Sequence, residues 1–259
     1  MLKMKISEVS GPLISKIDFY HVNQALKNGW YGKNKFFYVE KFERDFAAFH
    51  GRKYALMTPN CTSAIHLALL SLNIGKGDTV INSDCTWIAS AAAVKYVGAR
   101  NIFVDIDEKN WCIDYRLIEK NITQKTKAII FTNLYGNMPD IDKILKIAKK
   151  YNLKVIEDSA ESFGSYYKKK ISGSFGDISV FSFHRTKTLT SGEGGIFLTN
   201  NRSIYEECKI LRDQGKSEKI QFWTERIGYK YTPSNLQAAL AYSQFKQRDK
   251  ILKKKKEIF

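Results

Sequence analysis

The hydrophobic positions of this chain follow two alternating patterns, one typical of helices and one typical of short buried strands. Near the start, apolar residues recur three or four positions apart, which predicts helices over residues 12–30 and 39–50, closed by Gly29 and Gly51. From residue 54 onward, short apolar runs alternate with helical segments. The predicted strands are residues 54–57, 79–81, 101–104, 127–131, 153–156, 178–181 and 195–198. The remaining predicted helices are residues 62–72, 87–97, 141–151 and 203–213, with a long last helix from 234 to the end.

This alternation predicts an α/β fold. Strands that read as continuous apolar runs are buried on both faces, and repeated strand–helix units are typical of a mostly parallel sheet covered by helices on both faces. No internal repeat or low-complexity linker divides the 259 residues. We therefore predict one large domain over residues 1–232, with an N-terminal helical segment at 1–51, followed by a long helix over 233–259.

Composition and charge narrow the class of protein. Hydrophobic residues make up 44% of the chain and charged residues 26%, which is ordinary for a globular protein. The formal net charge of +16 suits anionic ligands such as nucleotides or phosphates, and it leaves a nucleic-acid binder open as an alternative. The lysines are spread over many predicted helices, however, and no nucleic-acid-binding motif accompanies them. We therefore predict no nucleic-acid partner.

The spacing of the cysteines and the lengths of the apolar segments indicate in which cellular compartment the protein resides. The four cysteines are widely spaced and form no CxxC pair, so we predict neither a metal site nor a disulfide framework, and they fit a reducing compartment. The N-terminus has no apolar signal segment, and the chain has no run of eighteen apolar residues. We predict a cytoplasmic protein without a membrane span.

Two residues near predicted strand ends form a candidate cofactor site. Asp158 follows an apolar run, and ligands of an open parallel sheet bind at the carboxyl ends of its strands. Lys187 lies in a hydroxyl-rich loop that leads to the glycine-rich residues 192–195. A pyridoxal phosphate (PLP) enzyme needs a lysine to hold the aldehyde as a Schiff base and a carboxylate to keep the ring nitrogen protonated. Each residue has a structural alternative, since Asp is also a helix cap and most lysines are solvated.

A second set of residues is suited to an anion and a flat ring. Thr62 and Ser63 open a predicted helix directly after a strand, where free N–H groups hold anions, and Ser182 lies five positions before Lys187. Plain helix capping is the alternative for Thr62 and Ser63. Trp87 lies between a predicted strand and a helix, where an indole either stacks on a cofactor ring or packs in the core.

These residues belong to a longer series of motifs that resembles the DegT/StrS-type nucleotide-sugar aminotransferases, a branch of the fold-type I PLP enzymes. The similarity covers residues 54–106 and 126–240. Its motifs keep the family's order along the chain. They are residues 60–69, 74–78, 98–99, 103–107, 156–161, 182–187, 192–195, 227–231 and 235–239.

The resemblance implies a fold-type I large domain and a role for each matching residue. Lys187 is expected to hold the cofactor's aldehyde, and Asp158 to pair with the ring nitrogen. Trp87 takes the place of the aromatic residue that stacks on the ring. The family's dehydratase members carry histidine in place of the lysine, so the lysine at position 187 favours an aminotransferase. The implied phosphate ligands are Thr62, Ser63 and Ser182.

Two further positions carry implications for the substrate and for assembly. Glu161 stands where the family has a residue near the cofactor's 3-hydroxyl, and together with residues 164–165 and 176–177 it resembles the perosamine-synthase-like members, which aminate a 4-keto-6-deoxy sugar on GDP. Lys230 replaces an Asn that, in many members, reaches the phosphate of the neighbouring subunit's cofactor. A homodimer is therefore expected.

The resemblance also implies the reaction. The expected activity is transfer of an amino group from an amino acid, with L-glutamate as the expected donor, to a nucleotide-linked keto-sugar in surface polysaccharide or lipopolysaccharide O-antigen biosynthesis. Family members continue past the long helix into a small C-terminal domain, which we expect to be absent here. The alternative is therefore a truncated, catalytically impaired PLP-binding fragment or partner subunit.

Overall fold

The computed structural model describes residues 12–217 and 219–258. The strands are β1 (Tyr54–Thr58), β2 (Thr79–Ser83), β3 (Arg100–Val104), β4 (Thr126–Thr132), β5 (Lys154–Asp158), β6 (Tyr166–Tyr167), β7 (Lys170–Ile171), β8 (Ile178–Ser182) and β9 (Gly195–Thr199). The α-helices are α1 (Lys16–Asn28), α2 (Phe37–Phe49), α3 (Cys61–Ser71), α4 (Ala89–Tyr96), α5 (Tyr115–Ile118), α6 (Ile141–Lys150), α7 (Arg202–Arg212), α8 (Asn235–Lys246) and α9 (Arg248–Ile258). Short 3₁₀ turns occupy Gly32–Asn34, Glu119–Asn121 and Leu134–Gly136.

Seven strands form one sheet in the order β1-β9-β8-β5-β4-β2-β3. All neighbours pair in parallel except at β9, which runs antiparallel to both β1 and β8. The chain returns directly from β8 into β9 through residues 183–194, which contain no crossover helix, and this connection joins the two strands as an antiparallel pair. The prediction of a mostly parallel α/β sheet is confirmed.

Helices cover both faces of the sheet, as predicted. One face packs against α3, α4 and α7 through residues such as Leu56 and Phe197. On the other face, α1, α2 and α8 cover β1, β8 and β9, while α6 covers the region around β2, β4 and β5. Neighbouring strand residues point to opposite sides, so Met57 joins the second face directly after Leu56. No described helix has both the length and the apolar content that a membrane crossing requires.

The last long helix is a correction to the prediction, since it consists of two helices separated at Gln247. Gln247 leaves the helical conformation with φ −99° and ψ 6°. Its side chain donates to Asp18 Oδ1 at 3.2 Å and accepts from the Ser15 hydroxyl at 2.8 Å. Because this residue is tied to the start of α1, α8 ends there, and its apolar residues belong to the core shared with α1 and α2.

We predict that Phe46→Ala lowers the free energy of unfolding by about 3–5 kcal/mol, because it leaves a cavity in the core. Phe46 is fully buried and contacts the rings of Phe42, Phe181 and Phe245, among others. The matched control is Phe222→Ala, since Phe222 is 97% exposed. Urea unfolding of both variants measures the difference, and equal losses would contradict this description of the core.

Candidate active site

Polar residues at the carboxyl ends of β4, β5 and β8 border a cavity of about 420 Å³. Thr132, Asp158 and Ser182 are the last residues of these three strands. Loops after the strands and the N-terminal end of α3 complete the wall. Six of the eight predicted site residues line this cavity, and they are Thr62, Trp87, Asp158, Glu161, Ser182 and Lys187.

Asp158 is the buried acid of the cavity, with 5% of its surface exposed. Its Oδ2 accepts from the Ser90 hydroxyl at 2.6 Å, and its Oδ1 accepts from the Ala160 N–H at 3.1 Å. Burial raises the pKa of Asp158 above its ordinary value, while the two hydrogen bonds and the charge of Lys187 oppose that rise. The side chain is thus a strand-end carboxylate that faces the cavity, and not a helix cap.

Glu157, which the sequence reasoning did not single out, anchors the same strand end on the opposite face. Its carboxylate is fully buried, and burial raises its pKa. Arg52, also buried, donates to the carbonyl oxygen of Gly173 and to the Ser179 hydroxyl beside it. The sequence signal that could have identified Glu157 is an acidic residue inside an apolar run. The donors to Glu157 are Asn133 Nδ2, the Ser159 and Ser179 hydroxyls, and the N–H groups of Gly173 and Phe175.

Lys187 and Glu161 form an ion pair in the cavity wall. The distance from Lys187 Nζ to Glu161 Oε1 is 2.9 Å, and about a fifth of each side chain is exposed. The other oxygen of Glu161 accepts from the Tyr135 N–H at 3.0 Å. A turn closed by the Lys187 N–H and the carbonyl oxygen of His184 directs the loop after β8. Lys187 and Asp158, the predicted lysine and aspartate, both line this cavity.

The N-terminal end of α3 lies against the start of β9 and beside the cavity. Asn60 caps the helix, because its Oδ1 accepts from both the N–H and the hydroxyl of Ser63. The Ser63 side chain is therefore used in the cap and does not line the cavity, whereas Thr62 does. The cap uses the Ser63 N–H, but the N–H groups of Cys61 and Thr62, the first two of the helix, have no partner within it and are suited to an anion.

Two of the predicted site residues, Trp87 and Lys230, are exposed. Trp87 precedes α4 and is 74% exposed, so packing in the core, the alternative reading of this residue, is wrong. Lys230 lies outside the cavity, where its Nζ is 3.3 Å from Asp213 Oδ1. Its predicted contact with a neighbouring subunit's cofactor remains a prediction.

The residues of the cavity fit PLP. The N–H groups of α3 and the hydroxyls of Thr62 and Ser182 are suited to a phosphate. A carboxylate at Asp158 suits a protonated ring nitrogen, and an amine at Lys187 suits an aldehyde. The phosphate, the ring nitrogen and the aldehyde of the cofactor thus each have a partner of matching chemistry in one cavity.

Comparison with known proteins agrees with this arrangement. The model of the DegT/DnrJ/EryC1/StrS aminotransferase family matches residues 12–259. The chain belongs to this family. As a family member it has the fold-type I architecture, and PLP is the cofactor indicated.

Several relatives give the extent of the match. The chain is 44% identical to GDP-perosamine synthase of Escherichia coli O157:H7 over 255 residues, covering 98% of this chain and 70% of the relative. It is 37% identical to the spore coat polysaccharide biosynthesis protein SpsC of Bacillus subtilis, covering 95% and 66%. The PLP form of Spr1654 from Streptococcus pneumoniae superposes with a TM-score of 0.89 at 29% identity, covering 97% and 69%. The chain thus spans about two thirds of the length of these proteins.

We predict that Gly195→Ala lowers the free energy of unfolding by about 1–3 kcal/mol, because an added Cβ would overlap the backbone of Asn60 and Cys61. This close approach holds β9 against the N-terminal end of α3. The matched control is Gly75→Ala, whose Cβ would meet only the Val97 carbonyl oxygen at an ordinary 3.6 Å. Urea unfolding of both variants measures the effect, and an unchanged Gly195→Ala protein would contradict the packing described.

Proposed function

We propose that the chain transfers an amino group from an amino acid, with L-glutamate as donor, to the keto group of a nucleotide-linked sugar. The observation that carries this proposal is the shared cavity of Lys187 and Asp158. The match to the aminotransferase family supports the reaction class. The similarity to a GDP-perosamine synthase and to SpsC supports a sugar acceptor and a role in polysaccharide biosynthesis, with lipopolysaccharide O-antigen as the expected product class.

PLP, when bound, supplies the aldehyde that receives the amino group and a ring that withdraws electrons as the C–H bond of the donor breaks. The Lys187 amine would hold the aldehyde, and when free it would carry the proton that leaves the donor's α-carbon, acting as base and then as acid. Asp158 would accept a hydrogen bond from the protonated ring nitrogen. Trp87 would stack on the ring.

The remaining residues hold the charged groups. The hydroxyls of Thr62 and Ser182 would donate to the phosphate together with the N–H groups of Cys61 and Thr62 at the start of α3. Glu161 pairs with the Lys187 ammonium when no cofactor occupies the lysine. The net charge of +16 favours an anionic acceptor such as a nucleoside diphosphate sugar. The resemblance to perosamine synthases makes a GDP-linked 4-keto-6-deoxy sugar the first acceptor to test.

We also propose a cytoplasmic homodimer. Lys230 is exposed and lies apart from its own chain's cavity, which leaves its ammonium available to a second copy in exchange for its contact with Asp213. A lysine meets a phosphate as a point charge, whereas the Asn of many relatives donates a directed hydrogen bond. The site is therefore expected to be complete only in the dimer.

Borohydride reduction of the PLP-loaded chain tests the role of Lys187. We predict that the cofactor becomes covalently fixed to this lysine, so trypsin no longer cleaves after it and releases residues 186–202 as one heavier peptide, read by mass spectrometry. Lys187→Ala is expected to lose this label entirely. Lys168→Ala, which removes an exposed lysine paired with Asp142, is expected to keep it.

Label on another lysine, with none on residues 186–202, would overturn the assignment. A second sample of the PLP-loaded chain, left unreduced, is then incubated with L-glutamate to separate transfer from binding. Transfer produces 2-oxoglutarate and the amino form of the cofactor in equal amounts. A chain that carries the label but yields no 2-oxoglutarate would be a PLP-binding fragment or partner subunit instead.

Co-expression of two differently tagged variants tests the predicted role of Lys230. We predict that Lys230→Ala alone lowers PLP affinity about tenfold by loss of a charged phosphate contact. Purified mixed dimers of Lys187→Ala and Lys230→Ala chains should regain normal affinity at one site, because the Lys187→Ala subunit supplies Lys230 to its partner. Labelling of the 186–202 peptide at low PLP concentration reports this, and no recovery would contradict a contact between subunits.

A further inference from the structure

Ser90 joins two separate elements of the cavity by one hydrogen bond. It lies in the first turn of α4, is fully buried, and donates from Oγ to Asp158 Oδ2 at 2.6 Å. Among the described residues, the other donor to this carboxylate is the Ala160 N–H, which belongs to the loop that directly follows Asp158. Ser90 is therefore the donor that fixes Asp158 relative to a different part of the fold.

We propose that Ser90 is a positioning residue for the PLP site: its hydroxyl holds Asp158 Oδ2 in place and keeps the carboxylate ionised for the ring nitrogen of the cofactor. This inference rests on the proposed function. A carboxylate oxygen has two lone pairs, so Oδ2 retains an accepting position after binding the Ser90 hydroxyl. A protonated Asp158 carries no negative charge, so it would hold the protonated ring nitrogen by a weaker hydrogen bond than the carboxylate does.

The charges around Asp158 show why the hydroxyl matters. Burial is the largest influence and raises the pKa of Asp158, and the nearby charge of Glu161 acts in the same direction. The Ser90 hydrogen bond is the first opposing influence, followed by the Ala160 N–H and the charge of Lys187. Cys61 on α3 also faces this group, but burial raises the pKa of its thiol well above the ordinary value, so it stays neutral.

The same bond orients a second part of the site. Ser90 lies three residues after Trp87, and Thr86, Trp87 and Ala89 all line the cavity. Trp87 itself is 74% exposed, so little of its side chain is buried against the rest of the fold. The tie between Ser90 and Asp158 therefore sets the distance between the strand end that meets the ring nitrogen and the segment that covers the ring.

The test is the pH dependence of PLP affinity in Ser90→Ala, measured on the full chain as the ratio to wild type. Loss of the bond raises the pKa of Asp158, so a larger fraction is protonated at any given pH. We expect the loss of PLP affinity relative to wild type to grow as the pH falls from 9 to 5.5, up to about tenfold, which is the fold-change that a shift of about one pKa unit produces. The loss should fade as the pH rises and Asp158 becomes ionised in both proteins.

The control is Ser83→Ala, which deletes the same atom from a buried serine whose hydroxyl has no hydrogen-bond partner among residues 12–217 and 219–258. It is expected to bind PLP as wild type does at every pH. If PLP affinity falls equally at all pH values in Ser90→Ala, or does not fall, the role proposed for Ser90 is overturned. The proposed function is not affected by that result. A wild-type chain that does not bind PLP would overturn the proposed function and this inference together.

Discussion

Two neighbouring carboxylates are buried at the end of β5, and the arrangement of the site depends on how each one is satisfied. An unpaired buried carboxylate costs several kcal/mol, so each must find donors. Because strand residues alternate between faces, Glu157 and Asp158 point to opposite sides of the sheet. Among the described residues, Glu157 accepts five hydrogen bonds, four from loop residues and one from Ser179 on β8, whereas Asp158 accepts two and faces the cavity. The hydrogen bonds to Glu157 therefore fix the backbone of the strand end that carries Asp158.

The sheet topology brings the other groups to this point. β4, β5 and β8 are parallel neighbours, so the last residue of each lies at the same edge. The chain then returns through the Lys187 loop into β9, whose start at Gly195 lies against the N-terminal end of α3. An amine, a carboxylate and a set of N–H groups are thus gathered from segments far apart in the sequence, without any local motif that contains them all.

Much of this could be predicted from the sequence, and the misses share a physical cause. Apolar runs predicted the seven strands of the main sheet to within one or two residues, because burial on both faces imposes that pattern. The hairpin of β6 and β7 was missed, since its turn uses Lys168 and Lys169 at positive φ in place of the usual Asn or Gly. The break at Gln247 and the bond from Ser90 depend on partners 232 and 68 residues away. Hydrophobic periodicity carries no information about such pairs.

The three acids around the cavity differ in how firmly they are held, and this difference matches their tasks. Glu157 is enclosed by donors and serves the backbone. Asp158 is fixed on both oxygens yet keeps lone pairs that face the cavity. Glu161 pairs with the Lys187 ammonium and with the N–H of Tyr135, a residue at φ 52° in the left-handed region that bulky side chains rarely adopt. A contact with a partly exposed lysine is the weakest of these restraints, so it is the one that can be exchanged when the amine is needed elsewhere.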